Sequence, residues 1–469
     1  MIHSIVDKIR GWWNKMFDYN KIAKDFDLDI QTSQDILDAV QEWAKIYNKS
    51  EPWIDKNTTS LHVAKTISEK IAETAVVEFK SKCDEPYVDG IYQKFLKDMQ
   101  KNVELMVGKS FIFFKPYYDG KTIKINTVQA DKFIPVSFND EGKLLSFIVI
   151  DQITKESDIY TRLEFNELKN EQLHIKNIAY KGKKNGTILS RRISMQYVDE
   201  WKDIEEETWI DGLDRILGGF ATTPEVNTLD NSSPIGMPMW YNAKDTLKEI
   251  DKQFSRTLWE YEGTELAIDV DETVLKPDDK GNFKAPKGKD RLFRALNFDE
   301  TKDKSYNVFS PEIRNTALFE GLNEYLIRAE VQCHLEYGTL AKVDEVEKTA
   351  TEIKSKKQGY HTTIKNVQKS MQNALDDLIY SIYALCKLYG ISVRHTYTTE
   401  YDWDDSILVD KDSQRNQALL ERNNGITSDV QYIMETRNMK EKEAIEFVKR
   451  QKEYRKLTEE TEENVPEGD

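Results

Sequence analysis

The chain predicts an α+β fold, and three observations lead to it. From Ser33 to Gln100 apolar residues recur at helical spacing, and from Phe111 to Ile193 the period drops to two, with Asn- and Gly-bearing turns between the runs. From Asn242 to Tyr389 helical striping returns, interrupted by one short segment, 266–309, with strand-like runs, Pro277, Pro286 and several glycines. Helices and antiparallel strands separated along the chain in this way make α+β, not alternating βα units.

The bulk numbers narrow the function classes. At 469 residues the chain has room for two or three domains, each burying its own core. Its 67 basic and 83 acidic residues give a net charge of −16, which excludes a global attraction to nucleic acid or anionic membranes and leaves only local basic patches for such contacts. Cys83, Cys333 and Cys386 are odd in number and form no CxxC pair, so they read as small apolar residues in a reducing compartment. Met1 to Phe17 is amphipathic, with Ile5, Ile9, Trp12, Trp13 and Met16 against Asp7, Lys8 and Arg10. Those charges interrupt any signal-peptide core, and a helix packing on a protein partner is favoured over one lying on a membrane. No run of 18 apolar residues occurs, so no membrane span is expected.

Taken in order, the helical stripes are Ile36, Val40, Trp43, Ile46 and Tyr47, then Val63, Ile67, Ile71 and Val76, then Ile91, Phe95 and Met99. Strands are predicted at Phe111–Tyr117, Lys121–Val128, Phe133–Phe138 and Leu144–Ile150, with turns at Asp119-Gly120 and Asn139–Gly142. Further strands at Tyr160–Phe165, His174–Tyr180 and Thr187–Ile193 meet turns such as Asn185-Gly186, before a polar stretch around Asp230–Pro238. A helix capped by Asn242 carries Ala243, Leu247, Ile250, Phe254, Leu258 and Tyr261 on one face and stops at Gly263. Within 266–309 lies a basic cluster, Lys280, Lys284, Lys287, Lys289, Arg291 and Arg294, opposed only by Asp290. Ser310-Pro311 restarts a helix whose face runs through Ile313, Leu318, Leu322, Tyr325, Ala329 and Cys333. Two striped helices leading out to and back from a small module make a stalk with a tip.

After a loop at Tyr337–Lys348 comes the longest helix. Thr349 and Glu352 form a capping box, and Tyr360, Ile364, Val367, Met371, Ala374, Leu378, Ile382, Leu385 and Tyr389 make one continuous stripe. A helix of about 60 Å exceeds an ordinary domain helix, so Ile364, Val367, Met371, Leu378, Ile382 and Leu385 are expected to pack along neighbouring subunits. A strand at Ile391–Thr399 and a charged helical tail from Lys411 follow. Lys452–Asp469, with three basic and seven acidic residues, is expected to fray.

Catalytic motifs do not assemble. Gly108-Lys109-Ser110 looks like the end of a phosphate-binding loop, but Val103 stands where the first glycine belongs and Ser110 leads into a strand. Asp402, Asp404, Asp405, Asp410 and Asp412 lack the glycine and terminal glutamate of a calcium loop, so a solvated acidic surface is favoured over a metal site. No histidine pair has metal-ligand spacing, and neither GxSxG nor HExxH occurs. Catalytic residues, metal and cofactor are all expected to be none.

The order of parts, with Tyr337-Gly338-Thr339-Leu340 and Lys348-Thr349-Ala350-Thr351-Glu352-Ile353, resembles the portal proteins of tailed bacteriophages. Gly108-Lys109-Ser110-Phe111-Ile112 to Phe133-Ile134-Pro135-Val136 is similar to that family's upstream sheet, and Asn423-Asn424-Gly425-Ile426-Thr427-Ser428 with Glu443-Ala444 resembles its C-terminal helices. The likeness spans nearly the whole chain and is least at 1–30 and 455–469. It implies a portal-type ring subunit: wing at 1–232 with 391–410 returning to it, stem helices at 233–265 and 310–336, clip at 266–309, tunnel loop at 337–348, a long channel-to-wing helix at 349–389, and crown with acidic tail at 411–469. It also implies a twelve-subunit ring at one capsid vertex of the virion, assembled in the host cytoplasm, through which double-stranded DNA is packaged and ejected without sequence preference. The implied partners are the large terminase subunit, which hydrolyses ATP, a head-tail adaptor, and capsid or scaffold protein; no membrane is involved. The tunnel loop would present Thr339, Leu340, Ala341, Lys342 and Val343 to the DNA, and the basic cluster would contact DNA phosphates leaving the tip or dock an acidic partner, or else be a solubilising lysine-rich loop. Lys342 stands among Asp344, Glu345 and Glu347, sparse positive charge that suits sliding over tight phosphate binding. The competing readings are a metal-dependent nucleic-acid-processing enzyme built on the aspartates, and a coiled-coil scaffold without a channel.

Overall fold

The computed structural model describes residues 18–183, 187–263, 267–271, 293–296, 306–309, 315–342, 350–403, 418–437 and 439–462. They fall into two units, Met1–Trp403 and Asp404–Asp469. The first opens with helices α1 (Tyr19–Phe26), α2 (Gln34–Tyr47) and α3 (Val63–Val76), a short strand β1 (Lys80–Cys83), and helices α4 (Pro86–Leu96) and α5 (Met99–Lys109). Side chains set two of these starts: Asp18 accepts the Lys21 N–H, and Glu85 accepts that of Tyr87 with Pro86 at the first helical position.

Strands β2 (Phe111–Tyr118), β3 (Ile123–Gln129), β4 (Phe133–Phe138), β5 (Leu144–Lys155), β6 (Asp158–Lys169), β7 (Gln172–Lys183), β8 (Arg191–Ile193), β9 (Glu207–Asp211) and β10 (Gly219–Thr222) follow. A six-stranded antiparallel sheet runs β4-β5-β6-β7-β8, with β9 also pairing β7. The central strands are longer than their apolar runs because charged ends continue the ladder into tight hairpins. Asn170 and Glu171, both at positive φ, close β6–β7 in two residues. Period two divides the sheet's faces. Leu163, Phe165, Ile148, Ile150, Ile178 and Tyr180 pack under Tyr19, Ile22 and Phe26 of α1. On the other face lies a polar cluster: Glu164 accepts from Lys115 of β2 and from Arg162 at 2.9 Å, and Arg162 also reaches Asn177 at 3.0 Å.

A second sheet, β10-β2-β3, buries Phe111, Ile112, Phe113 and Phe114 completely. Helix α6 (Lys244–Gly263), introduced by a 3-10 turn at Tyr241–Ala243, packs along α7 (Asn315–Gln332). Thr246 donates to Gln332 at 2.7 Å, and Tyr261 meets Phe319 at 6.5 Å, so early residues of one helix face late residues of the other and the pair is antiparallel. Between them β11 (Ala267–Asp271) is flanked by β12 (Phe293–Leu296), parallel, and β13 (Tyr306–Phe309), antiparallel. Helix α8 (Ala350–Leu388) precedes β14 (Thr399–Asp402), which returns to pair with β1, Lys80 opposite Asp402. The second unit contains a helical stretch at 418–423, α9 (Asp429–Arg437) and α10 (Glu441–Glu462); Arg422 pairs with Asp429 at 2.7 Å and Arg437 lies over Phe447. No described helix is long and apolar enough to cross a membrane.

Two expectations are corrected. The strand after α8 is Thr399–Asp402 and not Ile391–Thr399, because side chains hold the approach to it: Glu85 accepts from the Arg394 N–H, Asp84 from the Thr398 N–H, and the Tyr383 hydroxyl donates to the Arg394 and His395 carbonyls. The stripe of α8 is not a seam between subunits. Ile364, Val367, Met371, Leu378, Ile382 and Leu385 are buried within one chain, where α8 crosses β10, β2, α3 and α4. Gln368 donates to the Ala75 carbonyl at 3.1 Å and Tyr360 to Thr74 at 2.6 Å, fixing its register on α3. The helix is as long as expected, but this chain's own sheet and helices cover it. The expected start at Thr349, the turn at Asn185-Gly186, the amphipathic residues up to Phe17, the tail from Lys411 to 417 and the acidic end beyond Glu462 lie outside the described residues.

Two outcomes follow from this packing. Leu378→Asp places a charge in the fold's interior and is expected to lower unfolding free energy by more than ~3 kcal/mol, read by chemical denaturation of the isolated chain; a variant as stable as the parent would return the stripe to the subunit interface. Burial pushes the Glu164 carboxyl up, but the adjacent Lys115 and Arg162 cations prevail and hold it at about 2, below its ordinary 4.5. A depressed carboxylate stabilises fully above the ordinary value and loses that contribution as pH falls toward about 2. Glu164→Gln is therefore expected to cost on the order of 3 kcal/mol at neutral pH and to flatten the acid limb of a stability–pH curve.

Candidate functional site

The base of the α6–α7 pair is fastened to the α5–β2 junction. Trp240, fully buried, donates to the Gly108 carbonyl at 2.9 Å, the Met239 N–H to Val107 at 2.9 Å, and the Ser110 hydroxyl to Gly236 at 2.6 Å. A Cβ on Gly108 would lie 2.4 Å from the Tyr47 ring, so only glycine lets α5 pass there. Lys109 is buried, donating to Gln129 at 2.7 Å and to Asp131 at 3.2 Å. This lysine serves an internal bridge, and the chain beyond it is a strand, so Gly108-Lys109-Ser110 is a structural turn. The loop before α3 straps the first half of α6: Trp53 and the Leu61 N–H both donate to Asp251 at 2.8 Å, and the Thr59 N–H to Ser255 at 2.7 Å.

Further along, α6 loses the cover over its apolar face. Leu247 and Ile250 are buried near the base, but at the far end the buried side chains are Thr257 and Glu260, while Leu258 and Trp259 (68% exposed) are open and Tyr261, although it meets Phe319 of α7, is also exposed. On α7, Ala329 and Cys333 are buried at the base, whereas Phe319 at the far end is 51% exposed. A free-standing helical hairpin would put the apolar side chains between its helices. The sequence stripe correctly placed Leu258 and Tyr261 on the helix face of Leu247, but that face is buried near the base and exposed at the far end, and the stripe passed over Trp259.

The loop after α7 is held more tightly than a hinge between two rods. His334 and Gly338 take positive φ, 53° and 90°, turning the chain back along α7. The buried Glu330 carboxylate accepts the backbone N–H groups of Gly338 at 3.1 Å, Ala341 at 3.0 Å and Leu340. Asn323 donates to the Lys342 carbonyl at 2.8 Å. Thr339 and Leu340 are half-buried, Ala341 is buried, Lys342 is exposed, and Val343 lies outside the described residues. Glu330 escaped the sequence reading; its only signal was an acid just before the end of an apolar helix and eight residues ahead of a turn glycine.

Of the basic cluster, Lys280, Lys284, Lys287, Lys289 and Arg291 lie outside the described residues, and Arg294 is on β12 opposite Asp269. Among the aspartates, Asp404, Asp405, Asp410 and Asp412 lie outside them, while Trp403 stacks on Phe79 at 3.9 Å and donates to Gln372. No group of three or more His, Cys, Asp or Glu side chains suited to a metal ion occurs among the described residues. Cys83, Cys333 and Cys386 are free and buried, and burial pushes the Cys386 thiol up to about 11.

Glu330→Ala is expected to release the loop while leaving α6 and α7 packed. Amide exchange at Gly338, Leu340 and Ala341 should rise at least about tenfold, as the loss of ~1.4 kcal/mol or more of hydrogen bonding requires. Glu330→Gln, which keeps an acceptor oxygen, should fall between; unchanged exchange in both variants would mean the clasp does not hold the loop.

A search of curated proteins found no match. The family described as phage portal protein, SPP1 Gp6-like, matches residues 91–467, from α4 through α10. Spanning most of the chain, that match establishes that it belongs to the SPP1 Gp6-like family of phage portal proteins.

Proposed function

We propose that twelve copies of this chain close a ring at one capsid vertex, assembled in the host cytoplasm, and pass double-stranded DNA through a central channel. Membership of the portal family carries the coarser statement: a structural, non-enzymatic protein of the virion that packages the phage genome as an oligomeric ring with capsid and packaging partners. The finer assignment is ours. Residues 233–265 and 310–336 act as the stem, 266–309 as the clip facing the large terminase subunit and then the head-tail adaptor, and 337–348 as the tunnel loop. Residues 1–232 and 391–410 act as the wing, 349–389 as the channel-to-wing helix, and 411–469 as the crown.

The observation that carries this reading is the far end of α6, where Thr257 and Glu260 are buried while Leu258 and Trp259 are exposed. Apolar side chains turned outward on a helix demand a second surface, and identical chains around an axis supply one. Pairing of β14 with β1 supports returning 391–410 to the wing. The fold-back of Thr339–Lys342 onto α7 supports a loop borne on the stem, where passing DNA offers one charge per roughly 1.7 Å and no fixed sequence to read. A single exposed lysine there, Lys342, suits sliding. We assign the driving energy to the separate ATP-hydrolysing terminase; Lys109, held inside the fold, is not free to grip a nucleotide phosphate.

Single-particle images of the purified protein should show end-on rings with a central hole. Trp259→Asp should leave the isolated chain folded, because that side chain is exposed in it, yet lower ring assembly by at least about tenfold; undiminished rings would remove α6 from the interface. Changes at Leu340 or Lys342 should preserve rings and reduce packaged DNA. Neutralising Lys287, Lys289 and Arg291 should weaken terminase or adaptor binding in a salt-dependent way. A loop variant that lost partner binding while packaging normally would overturn the assignment of loop and clip.

A further inference from the structure

At the outer end of the six-stranded sheet, β7 and β8 frame a groove of about 640 Å³. Its lining includes Lys181 and Lys183 from β7, Arg191 and Arg192 from β8, and Tyr197. Asp158 pairs with both lysines, with Lys181 at 2.8 Å, so two cations share one carboxylate. Arg191 and Arg192 are exposed, and neither has a carboxylate partner among the described residues. Four cations against one anion make a local excess of about three positive charges on a chain whose net charge is −16. Tyr197, 64% exposed, forms one wall, with the Lys181 ammonium 5.8 Å from its ring centre. Gly182 lets the Thr187–Ile188 backbone pack directly on β7 beside the groove: a Cβ there would lie 2.1 Å from the Ile188 carbonyl.

The backbone adds a second feature. β8 ends the sheet's strand order, and no described segment forms a backbone hydrogen bond to its outer edge. Arg191 stands opposite Lys181 and Arg192 opposite Tyr180, so the two guanidinium groups leave opposite faces of the strand. Such an edge matches an extended peptide with carboxylates at consecutive positions, one for each face, main-chain bonds supplying the pairing and Arg–carboxylate forks the selectivity. Duplex DNA fits less well. It is a long polyanion and meets the repulsion of the whole acidic chain, whereas a short peptide lies within the ~8 Å over which physiological salt leaves the local excess unscreened.

We propose that the groove between β7 and β8 is a docking site for an acidic, extended segment of a protein partner, held by Arg191 and Arg192 and added to the edge of β8. The proposal does not depend on the assignment of stem, loop and clip.

The test uses the full-length chain and a labelled peptide in which Glu-Glu pairs alternate with Val-Val pairs, so that carboxylates stand on both faces of the added strand, with fluorescence anisotropy as the readout. Its expected outcome is binding that weakens with salt, weakens about tenfold or more in the double variant Arg191→Gln/Arg192→Gln, and is lost when Gln replaces Glu in the peptide. Asp158→Asn, which frees two lysines without touching the arginines, should tighten binding severalfold; this gain separates the site from damage to the fold. Backbone N-methylation of the peptide should abolish binding, and an unaffected methylated peptide would overturn the strand pairing. Equal binding by the double variant, or of the Gln peptide, would overturn the charge recognition. Tighter binding of duplex DNA through the same arginines would replace the partner class. No binding of either probe would overturn the proposal and leave the arginines as guards of a sheet edge against self-pairing.

Discussion

The crossing of α8 over β10 is the constraint on which the larger unit depends. Two adjacent glycines permit it. A Cβ on Gly219 would lie 2.1 Å from the Ala374 carbonyl, and one on Gly218, at φ 151°, would lie 2.1 Å from the Phe113 ring. The Gly218 N–H donates to Ser381 at 2.8 Å and Ser370 donates to the Thr222 carbonyl, so the helix is bolted to the strand on both sides of the contact. With no side chain between them, helix and strand approach closely enough for the α8 stripe to reach the phenylalanines of β2 and, past them, the Phe133–Phe147 stack of the large sheet. Helices α3 and α4 lean on the same rod, and β14 is delivered to β1 from its end.

Polar groups inside this frame follow a consistent logic. The buried Lys109 finds Asp131 and Gln129, and the largely covered Arg162 finds Glu164 and Asn177 through its terminal nitrogens while its Nε has no partner. Such arrangements are expensive to break and fix one geometry, because a lone charge left in the interior costs several kcal/mol. The same economy makes one carboxylate, Glu330, organise a loop by accepting from three backbone N–H groups.

Much of the α+β fold was legible because period two and period 3.6 report directly on the face that is buried. Phe133–Phe138 is found as predicted, and the helices at Gln34–Tyr47 and Val63–Val76 carry the stripes read for them. Family membership was legible in the order of parts and in the Thr-Ala-Thr-Glu opening of the longest helix. Periodicity reports burial but not its agent, which is why the α8 stripe was assigned to neighbouring subunits when β10 and β2 of the same chain cover it. The uncovered end of α6 was hidden for a related reason: Leu258 and Tyr261 keep the spacing of the stripe, and only the folded chain shows that cover over that face stops short of them. Strand β14 has four residues and too little alternation to register, being defined by its partner some 300 positions away.

That separation sets a schedule for folding. Ser81 donates to the Glu400 carbonyl across 319 positions of sequence, and Gln368 and Tyr360 reach back as far to α3. Contacts so remote close large loops and form late. During synthesis the parts of β2 and α3 that α8 covers must therefore wait until nearly four hundred residues have left the ribosome, with only their nearer neighbours such as Phe95, Phe133 and Phe147 in place. A chain stopped anywhere before α8 is a sticky fragment, not a smaller protein. Completion of α8 is thus the step that covers the larger unit's apolar faces, with the pairing of β14 to β1 still to follow.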